Sequence, residues 1–178
     1  MTSPDLATII GRIRPLDPAA LAAASLRQER LTKPSGSMGA LEDLGNSLCG
    51  MYAVCPPPLP APVAVVVFAG DHGVHAQGVS PWPQDVTAQM VANISSGGAV
   101  VNAIADQVSA SVTVIDVGVA VDLPPLPGVL DRKVAAGTQD LSTGPAMSPA
   151  QALAAVEVGI ETALGLVGSG HRLLVTGD

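Results

Sequence analysis

The chain has 178 residues, 48% of them hydrophobic, which is ample for a buried core in a domain of ordinary size. Its formal charge of -7 comes from 15 acidic and 8 basic residues scattered without blocks, which argues against a nucleic-acid or anionic-membrane surface. The partners left are small molecules or a second copy of the chain. Aromatic residues make up only 2%, so the core is expected to be built from Ala, Val, Leu and Ile, favouring an α/β fold over a β-sandwich.

The opening residues MTSPDLATIIGRIRP lack a basic segment followed by a long apolar one, so no secretory signal is expected. Apolar runs such as Val63 to Ala69 fall far short of the roughly 20 residues needed to span a bilayer, and no membrane anchor is expected. Ser3-Pro4, Asp17-Pro18 and Ser148-Pro149 share one grammar, a capping residue before proline at the first helical position, and each predicts a helix start. The helix from Pro18 ends near Thr32, where Lys33-Pro34-Ser35-Gly36-Ser37 intervenes. Another follows with Leu41, Leu44, Leu48 and Met51 on one face. Cys49 and Cys55 have no metal-ligand spacing and read as free thiols in a reducing cytoplasm.

Pro56, Pro57, Pro58, Pro60 and Pro62 form an extended connector, which divides the chain into a helical region, 1–60, and an α/β region, 61–178. VAVVVFAG, Val63 to Gly70, predicts a strand buried on both faces of a parallel sheet. Helices follow near Pro83 to Asn93 and Ala99 to Val108, then a strand from Ser111 to Asp116. A proline-bearing loop covers Leu123 to Met147, a long helix starts at Pro149, and HRLLVTGD, ending at Asp178, reads as the third strand. Alternating strands and helices imply right-handed crossovers and a parallel sheet. Three strands would leave long apolar edges, and the third has no helix after it, so a longer protein cut short within its sheet is expected.

Ligands of open α/β sheets bind beyond the carboxyl ends of the strands. GDHGVHAQGVSPWPQDVTAQM, Gly70 to Met90, is the richest such end. Either it is a ligand-binding loop using Asp71 or His72, or it is a turn in which Asp71 caps backbone amides and His72 is structural. Trp82, the one tryptophan, either stacks on an aromatic substrate or packs under its loop. Lys33 to Gly39 either presents amides to an anion or stops one helix and restarts the next with Ser37 as cap, the second being the simpler reading. Ser95 to Ala99 reads as a tight turn and Gly137 to Leu141 as a weak loop signal. His75 and His171 have no spaced partners, so no metal site is expected, and the patterns of hydrolases and Rossmann dehydrogenases are missing.

Six blocks in fixed order resemble the nicotinate-nucleotide:dimethylbenzimidazole phosphoribosyltransferase family. They are LTKPSGSMGALEDL (from Leu31), VVVFAGDHGVHAQGVSPWPQDVTAQM (from Val65), SSGGAVVNAIA (from Ser95), VIDVGV (from Val114), GPAMSPAQAL (from Gly144) and the closing LLVTGD. The resemblance implies a Rossmann-like α/β domain with a small helical region, in a cytoplasmic homodimer without metal or organic cofactor. It further implies transfer of the phosphoribosyl group of nicotinate mononucleotide to 5,6-dimethylbenzimidazole, with inversion and release of nicotinate. Trp82 and Met90 match positions that line the benzimidazole pocket, with Ser80 and Gln89 beside them. Asp178 matches the acidic residue, usually glutamate, that opens a loop near the ribose phosphate. The family's proton acceptor is a glutamate in the carboxyl-terminal half, so no catalytic residue is assigned in this chain and the isolated fragment is expected to be inactive. Ser35 stands where many members have a second proline. A non-catalytic azole-binding module, or transfer to another base such as adenine or a phenol, remains an alternative.

Overall fold

The computed structural model describes residues 6–178, and the chain divides into two units, Met1–Leu59 and Pro60–Asp178. The helix start read at Ser3-Pro4 lies outside the described residues.

The first unit contains α1 (Leu6–Gly11), α2 (Pro18–Arg30) and α3 (Ala40–Tyr52). Asp17 starts α2 as its sequence implies: an oxygen of its carboxylate accepts from the Ala20 amide at 2.7 Å, a cap worth about 1 kcal/mol. The restart differs from expectation. Gly39, not Ser37, is the cap of α3, at φ 56°, where a side chain is strained. Glu42 completes the turn by accepting from the Met38 amide at 3.2 Å and from Lys33 Nζ at 2.6 Å. The Lys33 ammonium and that amide hold the Glu42 carboxyl below its usual range. Lys33 is thereby committed to an ion pair within the turn.

The leucine stripe of α3 does not form its packed face. Leu41, Leu44 and Met51 are exposed, and the buried residues are Cys49 and Gly50, with Cys49 in a core shared with Ala20 and Ala24 of α2. The cause is backbone proximity: a Cβ on Gly50 would lie 3.0 Å from Leu16 and Leu21, and the Asp17 amide donates to the Gly50 carbonyl at 3.0 Å. Small residues decide which face of a helix approaches its neighbour closely.

The second unit holds a parallel sheet of β1 (Val63–Gly70), β2 (Ser111–Gly118), β3 (Val129–Asp131) and β4 (Leu173–Gly177) in the order β3-β2-β1-β4. It is accompanied by α4 (Val86–Ser95), α5 (Val100–Gln107) and α6 (Pro149–Gly168). The fourth strand, β3, lies within the stretch read as loop from Leu123 to Met147. It is three residues long and pairs Val129 with Val114, so β2 is interior and not an edge. Burial on both faces of β1 is incomplete: Ala64 and Val66 are buried, whereas Val63, Val65 and Val67 are half-buried. Around Ala69, Val91, Val114 and Val119, α4 closes one face of the sheet.

The start of α6 is a reciprocal capping box. Ser148 Oγ accepts from the Gln151 amide at 3.2 Å, and Gln151 Oε1 accepts from the Ser148 amide at 2.8 Å. Its 20 residues are long and apolar enough to cross a membrane by length and composition, with mean hydropathy 1.4, and none is buried. The sequence reading counted uninterrupted apolar runs, and α6 is interrupted by isolated polar residues, chiefly Gln151, Glu157 and Glu161. Its length comes from this mixed sequence and not from an unbroken apolar run.

Candidate functional site

The carboxyl end of β1 is opened by a register shift. Ala69 is opposite Asp116, but Gly70 is opposite Gly118, so the chain leaves the sheet with one partner residue skipped. Asp71 follows, buried and tied on all sides. Its Oδ1 accepts from Thr87 Oγ1 of α4 at 2.7 Å, and its Oδ2 accepts from the Ala120 amide at 2.7 Å. Its amide donates to the Gly118 carbonyl at 2.9 Å and its carbonyl accepts from Thr138 at 3.0 Å. Of the two readings of Asp71, its carboxylate fits the structural one: it joins β1, α4 and the end of β2.

A second carboxylate steadies the same region. Buried Asp116 accepts from the Val119 amide at 2.9 Å and pairs with Lys133 Nζ at 3.0 Å. That ammonium also donates to the carbonyls of Val119 and Val121. The segment 119–121 is therefore gripped by two carboxylates and one lysine; Lys133 pairs with Asp116, while Asp71 is held by neutral donors, the Thr87 hydroxyl and the Ala120 amide.

Gly73 begins a short 3-10 turn, Gly73–Gln77, pressed against residues 138–140. A Cβ there would fall 2.5 Å from the Gln139 carbonyl carbon and 2.6 Å from the Asp140 nitrogen, so only glycine fits. The Gly73 amide donates to Thr138 Oγ1 at 3.3 Å, and Gln77 Nε2 donates to Asp140 Oδ2 at 2.6 Å. The Ser142 hydroxyl, the Ser142 amide and Gln77 together hold the Asp140 carboxyl below its ordinary range. The segment that read as a weak loop signal is thus the backing of the site loop.

Beyond Gly73 the loop folds over a cavity of about 510 Å³, a size that suits a small organic ligand. Val67, Ala69, Val79, Trp82, Met90 and Ile94 supply most of its apolar lining. The loop over it is held by His75 Nε2, which lies 2.7 Å from the Trp82 carbonyl, and by Ser80 Oγ, which accepts from the Trp82 amide at 3.2 Å. Trp82 is 68% exposed, a residue beside the opening and not a core residue under its loop.

The structure brings together Asp71, His72, Ser80, Trp82, Met90 and Asp178 around this cavity, although they span more than half of the chain. Gln89 is not among them. It lines a separate cavity of about 370 Å³ with Gln84, Asp85 and Ala120, because one residue along a helix turns the side chain through about 100°. Val86, Thr87, Val91 and Ile94 were missed. Their signal was present in the helical spacing of Thr87, Met90, Val91 and Ile94, which share one face. Among the described residues no group of three or more His, Cys, Asp or Glu is gathered as metal ligands.

A family model described as phosphoribosyltransferase matches residues 13–178. The chain belongs to this phosphoribosyltransferase family. It is 52% identical over 93% of its length to the nicotinate-nucleotide–dimethylbenzimidazole phosphoribosyltransferase of Salinispora tropica, and 49% identical over 97% to that of Roseiflexus sp. strain RS-1. It covers 50% and 49% of those proteins, so it spans about half the length of the relatives it matches. The crystal structure of the phosphoribosyltransferase of the same name from Thermus thermophilus superposes with a TM-score of 0.85 at 45% identity, over 92% of this chain and 49% of that one. The chain thus shares the fold of about half of that relative.

Proposed function

We propose that this chain is the part of a phosphoribosyltransferase that holds the acceptor base, 5,6-dimethylbenzimidazole, while the phosphoribosyl group of nicotinate mononucleotide moves to one of its ring nitrogens. The products are α-ribazole 5'-phosphate and nicotinate, in assembly of the cobalamin nucleotide loop. The names of the relatives support the reaction, and the cavity over β1 carries the reading for this half. Glycosyl transfer with inversion needs the incoming nitrogen in line with the departing base, so rigid placement of a flat acceptor contributes directly to the rate. An apolar wall with Trp82 on the loop and Met90 on α4 suits a methylated, uncharged bicyclic ring. The Ser80 hydroxyl, which accepts from the Trp82 amide, keeps its own proton for a ring nitrogen.

The proton that leaves the acceptor nitrogen is taken, on this reading, by a glutamate in the half of the family's length that this chain does not span. Asp178 stands at the cavity rim, where a carboxylate can orient the ribose. The intact enzyme acts as a cytoplasmic homodimer. The exposed stripe of Leu41, Leu44 and Met51 supports a covered apolar face, and two free thiols suit a reducing compartment.

Trp82 is the sole tryptophan, so emission excited selectively from tryptophan, beyond the absorption of Tyr52, reports this loop alone. Titration with dimethylbenzimidazole should change its emission saturably, and Met90→Lys, which places a charge on the apolar wall, should abolish the change. Emission that stays constant up to the solubility limit of the base would remove the assignment. The 178-residue chain should form no α-ribazole phosphate from the two substrates, and any turnover would place the proton acceptor within it.

A further inference from the structure

Outside the cavity over β1, the first unit brings its two cysteines together. The last turn of α3 ends at Ala53 in a left-handed conformation, φ 51°, and the amides of Ala53 and Val54 both donate to the Cys49 carbonyl. This reversal returns Cys55 to the helix it has just left, where it packs on the buried core of Ala20, Ala24 and Cys49. Both side chains belong to one packed cluster, and neither is in a disulfide. Their exposure differs. Cys49 is buried, whereas Cys55 is half-buried and lines a groove of about 350 Å³ with Ala23, Leu26, Arg27, Arg30 and Leu31 of α2 and its end.

We propose that Cys55 and Cys49 form a redox-active dithiol, in which a hydroperoxide entering the Arg27–Arg30 groove oxidises Cys55 and Cys49 then closes an intramolecular disulfide. In the first step the Cys55 sulfur, as thiolate, attacks a peroxide oxygen and the O–O bond breaks. Water leaves when the oxidant is hydrogen peroxide, and Cys55 becomes a sulfenic acid. In the second step the Cys49 sulfur attacks the Cys55 sulfur. The S–O bond breaks, and the hydroxide leaves as water with the Cys49 proton. Two thiols and one hydrogen peroxide give one disulfide and two waters, two electrons passing from sulfur to oxygen.

Two observations fix the order of roles. Only Cys55 lines the groove through which a peroxide can enter, so it meets the oxidant first. Burial, together with the neighbouring Cys55 thiol, pushes the Cys49 thiol up, which keeps it protonated until its partner has been activated. A disulfide needs β-carbons about 4 Å apart, a demand that falls here on two side chains of one packed cluster.

The test treats the full chain with hydrogen peroxide at neutral pH, blocks remaining thiols and maps peptides without reduction. The expected product joins Cys49 to Cys55 within one chain, lacks two hydrogens and is reversed by dithiothreitol. Without peroxide, iodoacetamide should label Cys55 about 10-fold faster than Cys49 or more, as their difference in exposure dictates. In Cys49→Ser a sulfenic acid at Cys55 should be trapped by dimedone, and in Cys55→Ser the same peroxide dose should leave Cys49 unmodified. Oxidation of Cys49 first, disulfides formed only between chains, or two intact thiols at a dose that oxidises glutathione would each overturn the proposal.

Discussion

Removing the Asp71 carboxylate strands the Thr87 hydroxyl and the Ala120 amide at a position only 6% exposed to water. Hydrogen bonds to a charged acceptor contribute about 1.5–3 kcal/mol each, so Asp71→Ala should lower the unfolding free energy by about 3 kcal/mol or more in urea titration. Thr87→Val should cost less, about 1–2 kcal/mol, and the double variant should fall short of the sum because the two residues share one bond. An additive pair would mean that the Asp71–Thr87 bond contributes nothing. Gly73→Ala acts by a different cause: its Cβ has no room against the Gln139 and Asp140 backbone, so the loop must lift from residues 138–140. Its signature is faster proteolysis between 73 and 82 with β1 amides still protected from exchange. Asp140 gives this contact a pH dependence. Its folded carboxyl lies below the ordinary value, so its contribution is complete at neutral pH and is lost as pH falls through the folded value, in the region below about pH 4. Thermal melts of the wild type should therefore drop more steeply there than those of Asp140→Asn.

At the scale of elements, what the sequence made legible was whatever local chemistry decides. Asp17 and Ser148 announce their helices because each carries its own acceptor for an orphan amide, and Val63 to Gly70 announces a strand by an unbroken run of strand formers. β3 was not legible, since three residues carry no period and its place comes from pairing with Val114 to Asp116. The packed face of α3 was hidden for a related reason: its leucines are conspicuous, but the approach to α2 is set by Cys49 and Gly50. In the site, Ser80, Trp82 and Met90 could be named, yet the partners of Asp71 lie 16 and 49 residues away and follow only from the folded topology. Gln89 shows how narrow the margin is, one residue from Met90 and on another side of the helix. Val91 can test how far α4 supports the cavity. It is buried within the core shared by β1 and β2, and Val91→Ala removes two methyl groups, about 0.8 kcal/mol each before the cavity left behind is counted. A loss of about 2 kcal/mol is expected, with Trp82 emission in the free protein shifted because the cavity wall has moved.

Across the whole molecule, the two edges of the sheet are unequal. β3 is three residues long and is followed by a polar, turn-rich segment, a form that gives a foreign strand little to pair with. β4 is five residues long, pairs with β1 on one side, and carries Leu173 and Val175 at 40% and 44% exposure. In relatives about twice as long, further chain is available to cover such an edge. In a preparation of these 178 residues the edge offers open backbone donors and acceptors beside apolar side chains, the combination that recruits another strand. Two consequences can be measured together. Amides of β4 should exchange faster than those of β1, which is paired on both sides with β2 and β4. Association at rising concentration, followed by light scattering, should be suppressed by Val175→Lys, because a charge on an edge strand opposes pairing while leaving the β1–β4 backbone register intact. If scattering persists unchanged in that variant, association proceeds through another apolar surface, and the exposed face of α6 or the Leu41, Leu44 and Met51 stripe becomes the one to charge next.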